Sequence, residues 1–576
     1  MRVFWNRKKT LMSEKYMSML LGGTLTMMVV SALLMSDSVI AGAVIGSHAV
    51  AGITLVTPLY SLAAFFGSVF SLGVPIVYST EMGKFNKKEA DHAFGFGLLM
   101  ALVVGVALFV LVSLFGDAYL RSSGPLAAVL EEARGYLFWM RFTILLLPMQ
   151  MLIAAAVYSD GDETLSTVAN GVQGLGNIVA SILLSRHMGV RGIGLASFLF
   201  NVVALAILLL HFLKKSNSLR WNVFFSADML KKVVRYSIID SSSYLFLAAL
   251  TAVLNAFVSA CFGADYLIVV SVIALCREMQ MVFDGIGEAI TPLLSVYLGE
   301  GSLCGIASLY RLARKTAILE GLLVTLALLL LAPVFPGILG IAGPEMAACV
   351  IGEIRLVALG SVFVSLLYLL TSYYLVIERI GLGLMASALR DVALAALLAV
   401  SLGRIWGLTG MFLGLALAPA GAFVLLWLYI TRRYGREAWP LFLPTLGSTP
   451  SFLYDLSTEP EQIIDLQKKV ETLLTEKGYA HRTIGRVKLL IEEVYMLIRE
   501  KNGGKAVLSE CSVLLKRDGI QIIIKDDGVL FDISEEDVTV TSLVSLMVSG
   551  YMEKLGQNKR HLTTISFNRS SFLIKA

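Results

Sequence analysis

The sequence predicts an all-α polytopic membrane protein of twelve helices in two six-helix repeats, followed by a C-terminal α+β cytoplasmic domain. Three observations carry this expectation. Of 576 residues, 57% are hydrophobic and 15% charged, and mean hydropathy is +0.78; a soluble domain carries roughly 25% charged residues. Long apolar runs are separated by connections that are basic on every second occasion. Features of the first half recur in the second at a near-constant offset.

A bilayer core of roughly 30 Å needs about 20 apolar residues per helix. Twelve such runs lie near 17–44, 50–79, 93–116, 135–158, 164–185, 192–213, 236–262, 266–298, 308–333, 349–377, 382–403 and 408–431. The N-terminus, Lys84/Lys87/Lys88, the stretch His211–Arg235, Arg311/Arg314/Lys315 and Arg432/Arg433/Arg436 are the basic connections, and all fall on one side. The opposite connections hold only scattered positives such as Arg121, Arg186 and Arg191. The positive-inside rule therefore puts both termini in the cytoplasm of a multi-pass plasma-membrane protein. The acidic connection Asp160-Gly161-Asp162-Glu163 weighs little in that rule. Arg2, Arg7, Lys8 and Lys9 precede an apolar run too long for a cleavable signal. Cys261, Cys276, Cys304, Cys349 and Cys511 form no CxxC pair, so neither a disulfide framework nor a zinc site is expected. Loop lysines and arginines account for the pI near 8.7 without nucleic acid.

The repeat rests on three matches. Asp37 followed by Gly46 has a partner in Asn255 followed by Gly263; Ser79–Gly83 aligns with Ser295–Gly299; Gly189–Gly192 aligns with Gly407–Gly410. The offsets are about 216 to 218 residues and the order is preserved. Duplicated halves typically place a substrate path at their interface, opened alternately to each side. The expected domains are 1–213 and 236–435 for the two bundles, 214–235 for a basic connector, 436–450 for a Pro-rich linker and 451–576 for the tail. Within the tail, Glu459–Glu476 and Thr483–Lys501 have helical spacing, and Val507–Leu515 and Gly519–Lys525 alternate as strands across Arg517-Asp518-Gly519. A helix near Leu543–Leu555 and a last strand near Leu562–Phe567 complete it.

An ionisable group inside a span costs about 2.5–3.5 kcal/mol on insertion scales, so each asks for a reason. Asp37 in the first span could take up a proton or Na⁺, or hold neighbouring helices by hydrogen bonds. The eighth span holds Arg277, Glu278, Gln280, Asp284 and Glu288; positions 277, 281, 284 and 288 share a helical face. Arg277, Asp284 and Glu288 would then line one polar track, or form an ion network that fastens the helix. Asn255, the counterpart of Asp37, joins them as a cation-coupling or substrate candidate. Arg390 and Asp391 point about 100° apart on a helix and so call for different partners. Arg141 is a further buried cation, and Asp240 suits the start of its helix. The tenth span, Leu356–Leu375, contains no acid.

Residues 15–435 resemble the multidrug and toxic compound extrusion (MATE) family. The resemblance rests on Ser36-Asp37-Ser38 leading to Gly46 and Ala49-Val50-Ala51, Pro58, Ser79 through Gly83, Ala90, Asp160-Gly161, Asn177 and Gly189 through Ala196. It implies two six-helix bundles that export small, mostly cationic or amphiphilic compounds against H⁺ or Na⁺ entry, with Asp37 as the family's acidic residue in the first span. The further carboxylates that some members carry in spans seven and ten have no match here. The tail resembles the histidine-kinase-like ATPases, especially the anti-sigma-factor kinases: Leu490–Val494 is similar to the helix with the catalytic Glu, at Glu493, and Lys525–Asp532 to the adenine-binding box, at Asp526 and Gly528. Leu497 stands where an Mg²⁺-binding Asn is expected, and Thr541–Ser545 replaces the glycine-rich phosphate lid. Both departures count against ATP binding and make the tail a regulatory or interaction module.

The expected function is a MATE-type antiporter, not an enzyme, with no cofactor beyond H⁺ or Na⁺ as coupling ion. Its partners would be membrane lipid, a small-molecule substrate and a cytoplasmic protein for the tail, with no nucleic acid. Two rivals are a flippase for a lipid-linked substrate, with Arg277 and Arg390 meeting an anionic head group, and a membrane sensor or scaffold that signals through the tail.

Overall fold

The computed structural model describes residues 10–83, 86–122, 127–214, 217–222, 225–262, 273, 276–277, 279–338, 344–446, 449–529, 552–558 and 567–575. They divide into two compact units. The larger comprises Leu20–Glu288 and Ala313–Arg433; the smaller comprises Met1–Met19, Ala289–Leu312 and Tyr434–Ala576.

The helices follow the apolar runs. α1 covers Leu11–Val44, α2 Ser47–Gly83, α3 Lys87–Ser122, α4 Ala127–Ser159, α5 Glu163–Met188, α6 Val190–Leu209 and α7 Ala227–Cys261. After them come α8 (Asp284–Glu300), α9 (Leu303–Leu331), α10 (Pro344–Ala358), α11 (Ser361–Val376), α12 (Ile380–Ala388) and α13 (Leu394–Tyr434). Among the described residues eight helices are long and apolar enough to cross a bilayer, or nine when Ala347–Ala358 and Ser361–Val376, bent by 44°, count as one span. Helix α13 is broken at Trp406 and Gly407, where Gly407 takes φ +68°, a conformation a side chain would strain. In the larger unit, α2 packs against α3, α4 and α7, and α6 against α4 and α5. One apolar cluster there joins Ile40, Ile53, Leu120, Tyr136, Ile144 and Ile193; a second joins Leu254, Phe257, Leu328, Ile354, Ala399 and Phe412.

In the smaller unit, β1 (Ser451–Ser457), β2 (Leu508–Lys516), β3 (Gly519–Asp526), β4 (Met552–Asn558) and β5 (Asn568–Lys575) form an antiparallel sheet of order β1-β2-β3-β5-β4. Helices α14 (Pro460–Glu476) and α15 (His481–Lys501) cover one face. Val470, Leu474, Val487, Ile491 and Val494 meet Val513, Ile522, Ile524 and Phe572 there. The expected helices at 459–476 and 483–501 and the β2–β3 hairpin match these elements. Three points are corrected. β1 is an additional strand. Residues 552–555, expected in a helix, belong to β4, an edge strand held by its pairing with β5 across a bulge at Lys554/Gly556. The last strand runs from Asn568 to Lys575 rather than near 562–567, because Phe572 and Ile574 are the residues that alternate into the core; 543–551 and 562–566 lie outside the described residues.

Every residue of β3 is buried, so both faces of the sheet are covered. Glu510, Lys525 and Arg569 are cross-strand neighbours on the face away from α14 and α15. That face packs on Ala289–Leu312, the end of α8 and start of α9. Glu300 on α8 lies 2.8 Å from Lys525 Nζ and 3.0 Å from Arg569 Nε, and Lys525 Nζ lies 2.8 Å from Glu510. Tyr297 donates to Glu510 at 2.6 Å, its ring lies under Lys525, and the Cys304 amide donates to Ser451 Oγ. Two acids and two bases neutralise one another, which is what allows Glu300, Glu510 and Lys525 to be buried, with Arg569 a quarter exposed at the edge.

Candidate functional sites in the larger unit

Asp37 lies in the last third of α1 and collects hydrogen bonds from three other helices. Tyr136 of α4 donates to Oδ2 at 2.8 Å, Ser197 of α6 to Oδ2 at 3.1 Å, and Asn177 of α5 to Oδ1 at 3.3 Å. Ser181, one turn on from Asn177, donates to that amide's oxygen. All three donors to Asp37 are neutral. A carboxylate solvated this way is not locked by a counter-ion, so a proton or a small cation can come and go without leaving a bare positive charge. Asp37 and Asn177 are visible in the sequence. Tyr136 and Ser197 are not, because single hydroxyls in apolar runs carry no spacing signal.

The second centre lies around Asp391. A π-helical turn, Leu389–Ala393, separates α12 from α13. Arg390 Nε and Nη2 reach Asp391 at 2.8 and 2.7 Å; Arg277 Nη1 adds 3.1 Å and Ser387 Oγ 3.1 Å. Arg277 Nη2 also reaches the Arg390 carbonyl at 3.4 Å, and the Arg390 guanidinium stacks 3.6 Å over Tyr368. The expectation that Arg390 and Asp391 take different partners is therefore corrected: the widened turn changes the α-helical offset, and the long arginine folds back onto its neighbour.

The other predicted residues are spread out. Asp284 opens α8 just after a 3₁₀ turn, Met281–Phe283, which breaks the helical phase that joined 277 to 284 and 288. Glu288 lies against α1, where a Cβ on Gly23 would sit 3.0 Å from its Oε2. Gly285 crosses the same point so closely that its own Cβ would meet the Thr24 amide at 2.6 Å. Asn255 belongs to α7, but its side chain, like that of Asp240, is outside the described residues, as is Glu278. Arg141 stacks on Phe138 and Phe142. Two carboxylates join the inventory: Glu320 of α9 accepts from Thr24 at 3.2 Å, and Glu353, 2% exposed on α10, lies 3.0 Å from Cys349 Sγ. Glu353 lies within the run 349–377 but before Leu356–Leu375, the stretch read as acid-free, on a helix that begins at Pro344.

At the connection after α4, His211 bridges Asp160 and Asp162 at 2.9 Å each. Ser218 donates to Asp160 through both amide and hydroxyl, and Lys214 to Asp162. Burial works against the ionised forms, but the bonds from His211 and Ser218 to Asp160, and from Lys214 and His211 to Asp162, hold both carboxyls below the usual range.

In the tail, Asp526 Oδ1 accepts from Asn568 Nδ2 and from the Gly528 amide, both at 2.9 Å; burial pushes its carboxyl up to about 6. A Cβ on Gly528 would meet Asn502 at 2.4 Å. Glu493 is half-buried on α15, and Leu497 belongs to the core. The stretch 541–545 is outside the described residues.

Eight or nine helices long and apolar enough to cross a bilayer among the described residues define a multi-pass helical membrane protein. Residues 24–183 match the MatE family model. The fold is that of a MOP-superfamily transporter from Pyrococcus furiosus whose binding pocket is described as reversed in polarity, at 17% identity and TM-score 0.68, covering 77% of this chain and 98% of that one. A MATE protein crystallised with the compound MaD3S gives 18% identity and TM-score 0.66 over 76% and 97% of the two chains. An outward-facing multidrug-resistance MATE transporter of the MOP superfamily gives 18% and 0.68 over the same shares. No curated protein matches the sequence. The fold is the one these solved structures share.

Proposed function

We propose that this protein is a MATE-type antiporter of the plasma membrane, exporting small cationic or amphiphilic compounds by alternating access coupled to H⁺ or Na⁺. Twelve helices in two six-helix repeats would form its two lobes, with both termini cytoplasmic. The observation that carries this reading is Asp37, held by Tyr136, Asn177 and Ser197 from three helices without any cationic partner among the described residues. Loading that carboxylate changes the charge at a point where α1, α4, α5 and α6 meet, so the packing of four helices is sensitive to the ion. The tail is a regulatory module. Support for this comes from its grip on Glu300 and Tyr297, which ties it to the α8–α9 hairpin, an element with Pro292 inside its first helix.

In proteoliposomes holding the full chain, efflux of a cationic dye should accelerate under an imposed proton or Na⁺ gradient, and Asp37→Asn should reduce it to the rate of empty liposomes. Undiminished gradient-driven efflux in that variant would remove Asp37 from the mechanism.

A further inference from the structure

We propose that Arg277 and Arg390 form a binding site for an anionic oxygen group, a carboxylate or phosphate ester, carried by the transported amphiphile. This rests on the transporter reading above and narrows its substrate class.

The donor count is decisive. The Asp391 carboxylate already accepts four hydrogen bonds, two on each oxygen: Arg277 Nη1 and Arg390 Nε on Oδ1, Arg390 Nη2 and Ser387 Oγ on Oδ2. Its lone pairs are filled. Two guanidinium groups together carry ten N–H bonds, and Asp391 consumes three of them. Arg390 is 2% exposed, yet its Nη1 has no hydrogen-bond partner. Asp284 contributes negative charge to the surroundings of Arg390 but none of its hydrogen bonds. A network built only to fasten helices gains nothing from a buried charged donor left unbonded, since that donor has lost water without replacement. An incoming acceptor repairs the loss.

The chemistry of the vacant donors selects the ligand. Charged N–H groups in a planar fork bind charged oxygen acceptors best, and carboxylate and phosphate oxygens match the fork's spacing. Arg277, with 18% of its side chain exposed, is the more accessible half of the pair, and Arg390 lies deeper. The Tyr368 ring holds the deeper guanidinium from one face, so it is presented edge-on rather than swinging freely. The π turn places both the arginine and its carboxylate at the break between α12 and α13, and such turns recur at functional positions.

Equilibrium binding to the full-length protein in detergent tests this. The probes are octyl phosphate, inorganic phosphate, phosphatidylglycerol in mixed micelles, and octyltrimethylammonium as the cation with the same alkyl chain. Octyl phosphate or phosphatidylglycerol should bind wild type, weaken at least about tenfold in Arg277→Gln and recover in part in Arg277→Lys. Octyltrimethylammonium should bind both proteins equally. Preference for phosphatidylglycerol assigns the group to a lipid head group, and comparable binding of octyl phosphate and inorganic phosphate assigns it to free solutes. If Arg277→Gln does not fold, Arg390→Lys, which keeps the charge but loses the fork, supplies the same comparison. Equal binding of every anion to wild type and folded variant, or none to either, overturns the proposal. No gradient is applied, so such a failure leaves the Asp37-coupled efflux reading standing.

Discussion

Asp37 and Asp391 are both carboxylates inside the helical unit, and their surroundings are opposites. Asp37 is held by a phenol, an amide and a hydroxyl. Asp391 is held by two guanidinium groups and a hydroxyl. Neutral donors leave the first acid without a counter-ion, the setting that the proposed coupling role requires. Fixed cations serve only the anion, so the second carboxylate is matched by the charge of its partners. A membrane protein can thus keep a carboxylate for two different purposes, and the partners rather than the acid tell them apart.

The contrast breaks most sharply under the same isosteric change. Asp391→Asn leaves two guanidinium groups without their shared anion and should destabilise the protein by about 3–5 kcal/mol. Asp37→Asn keeps shape and can still hydrogen-bond, so it should cost less than about 1 kcal/mol. Thermal unfolding of both variants in one detergent gives the comparison; equal losses would erase the distinction.

The ion network around Glu300 belongs to the charge-paired kind. Glu300→Gln leaves Lys525 with Glu510 and takes from Arg569 the carboxylate it faces, and should weaken the tail's hold on the hairpin by about 3 kcal/mol. Hydrogen exchange within residues 289–312 and 508–526 should then rise together. Unchanged protection in both segments would mean that apolar contact alone holds them.

Asp526 in the tail parallels Asp37, with an amide side chain and a backbone N–H as donors. Burial lifts its carboxyl to about 6 from the model-peptide value of 3.8. The folded tail therefore binds that proton more tightly than the unfolded chain does. Its contribution to stability is complete below about pH 4 and is lost as pH climbs through about 6, by roughly 2–3 kcal/mol. Exchange of the β3 amides should follow that window, and Asp526→Asn should flatten the part due to this residue.

Ser197→Ala is the mildest probe. One of three neutral donors disappears, at about 1 kcal/mol, so efflux should slow several-fold and persist. Complete loss would show that this hydroxyl is more than one donor among three.

How much of this was legible beforehand differs by region. The six helices from α1 to α6 follow apolar runs whose ends are marked by charge or glycine, and hydropathy finds them unaided. Asp37 is legible because a lone acid in such a run demands a reason. Its partners are not, since Tyr136 and Ser197 come from helices 99 and 160 residues away along the chain. The polar face drawn through 277, 284 and 288 assumed one continuous α-helix, and the 3₁₀ turn at Met281–Phe283 altered its phase. The pairing of Arg390 with the next residue was hidden for a related reason, a π turn that periodicity cannot anticipate. β4 was misread because an edge strand without strong alternation takes its conformation from the neighbour it pairs with.

The amino-acid sequence by itself determined where the long apolar segments lie, where the charged tail begins and that Asp37 is exceptional, because the apolarity and charge of a segment are local properties. Only the tertiary structure decided which donors meet each acid, and that the tail's second sheet face is covered by the end of α8 and start of α9. Those outcomes depend on where distant segments come together, and pairing energies act between atoms brought within about 3 Å, whatever their separation along the chain.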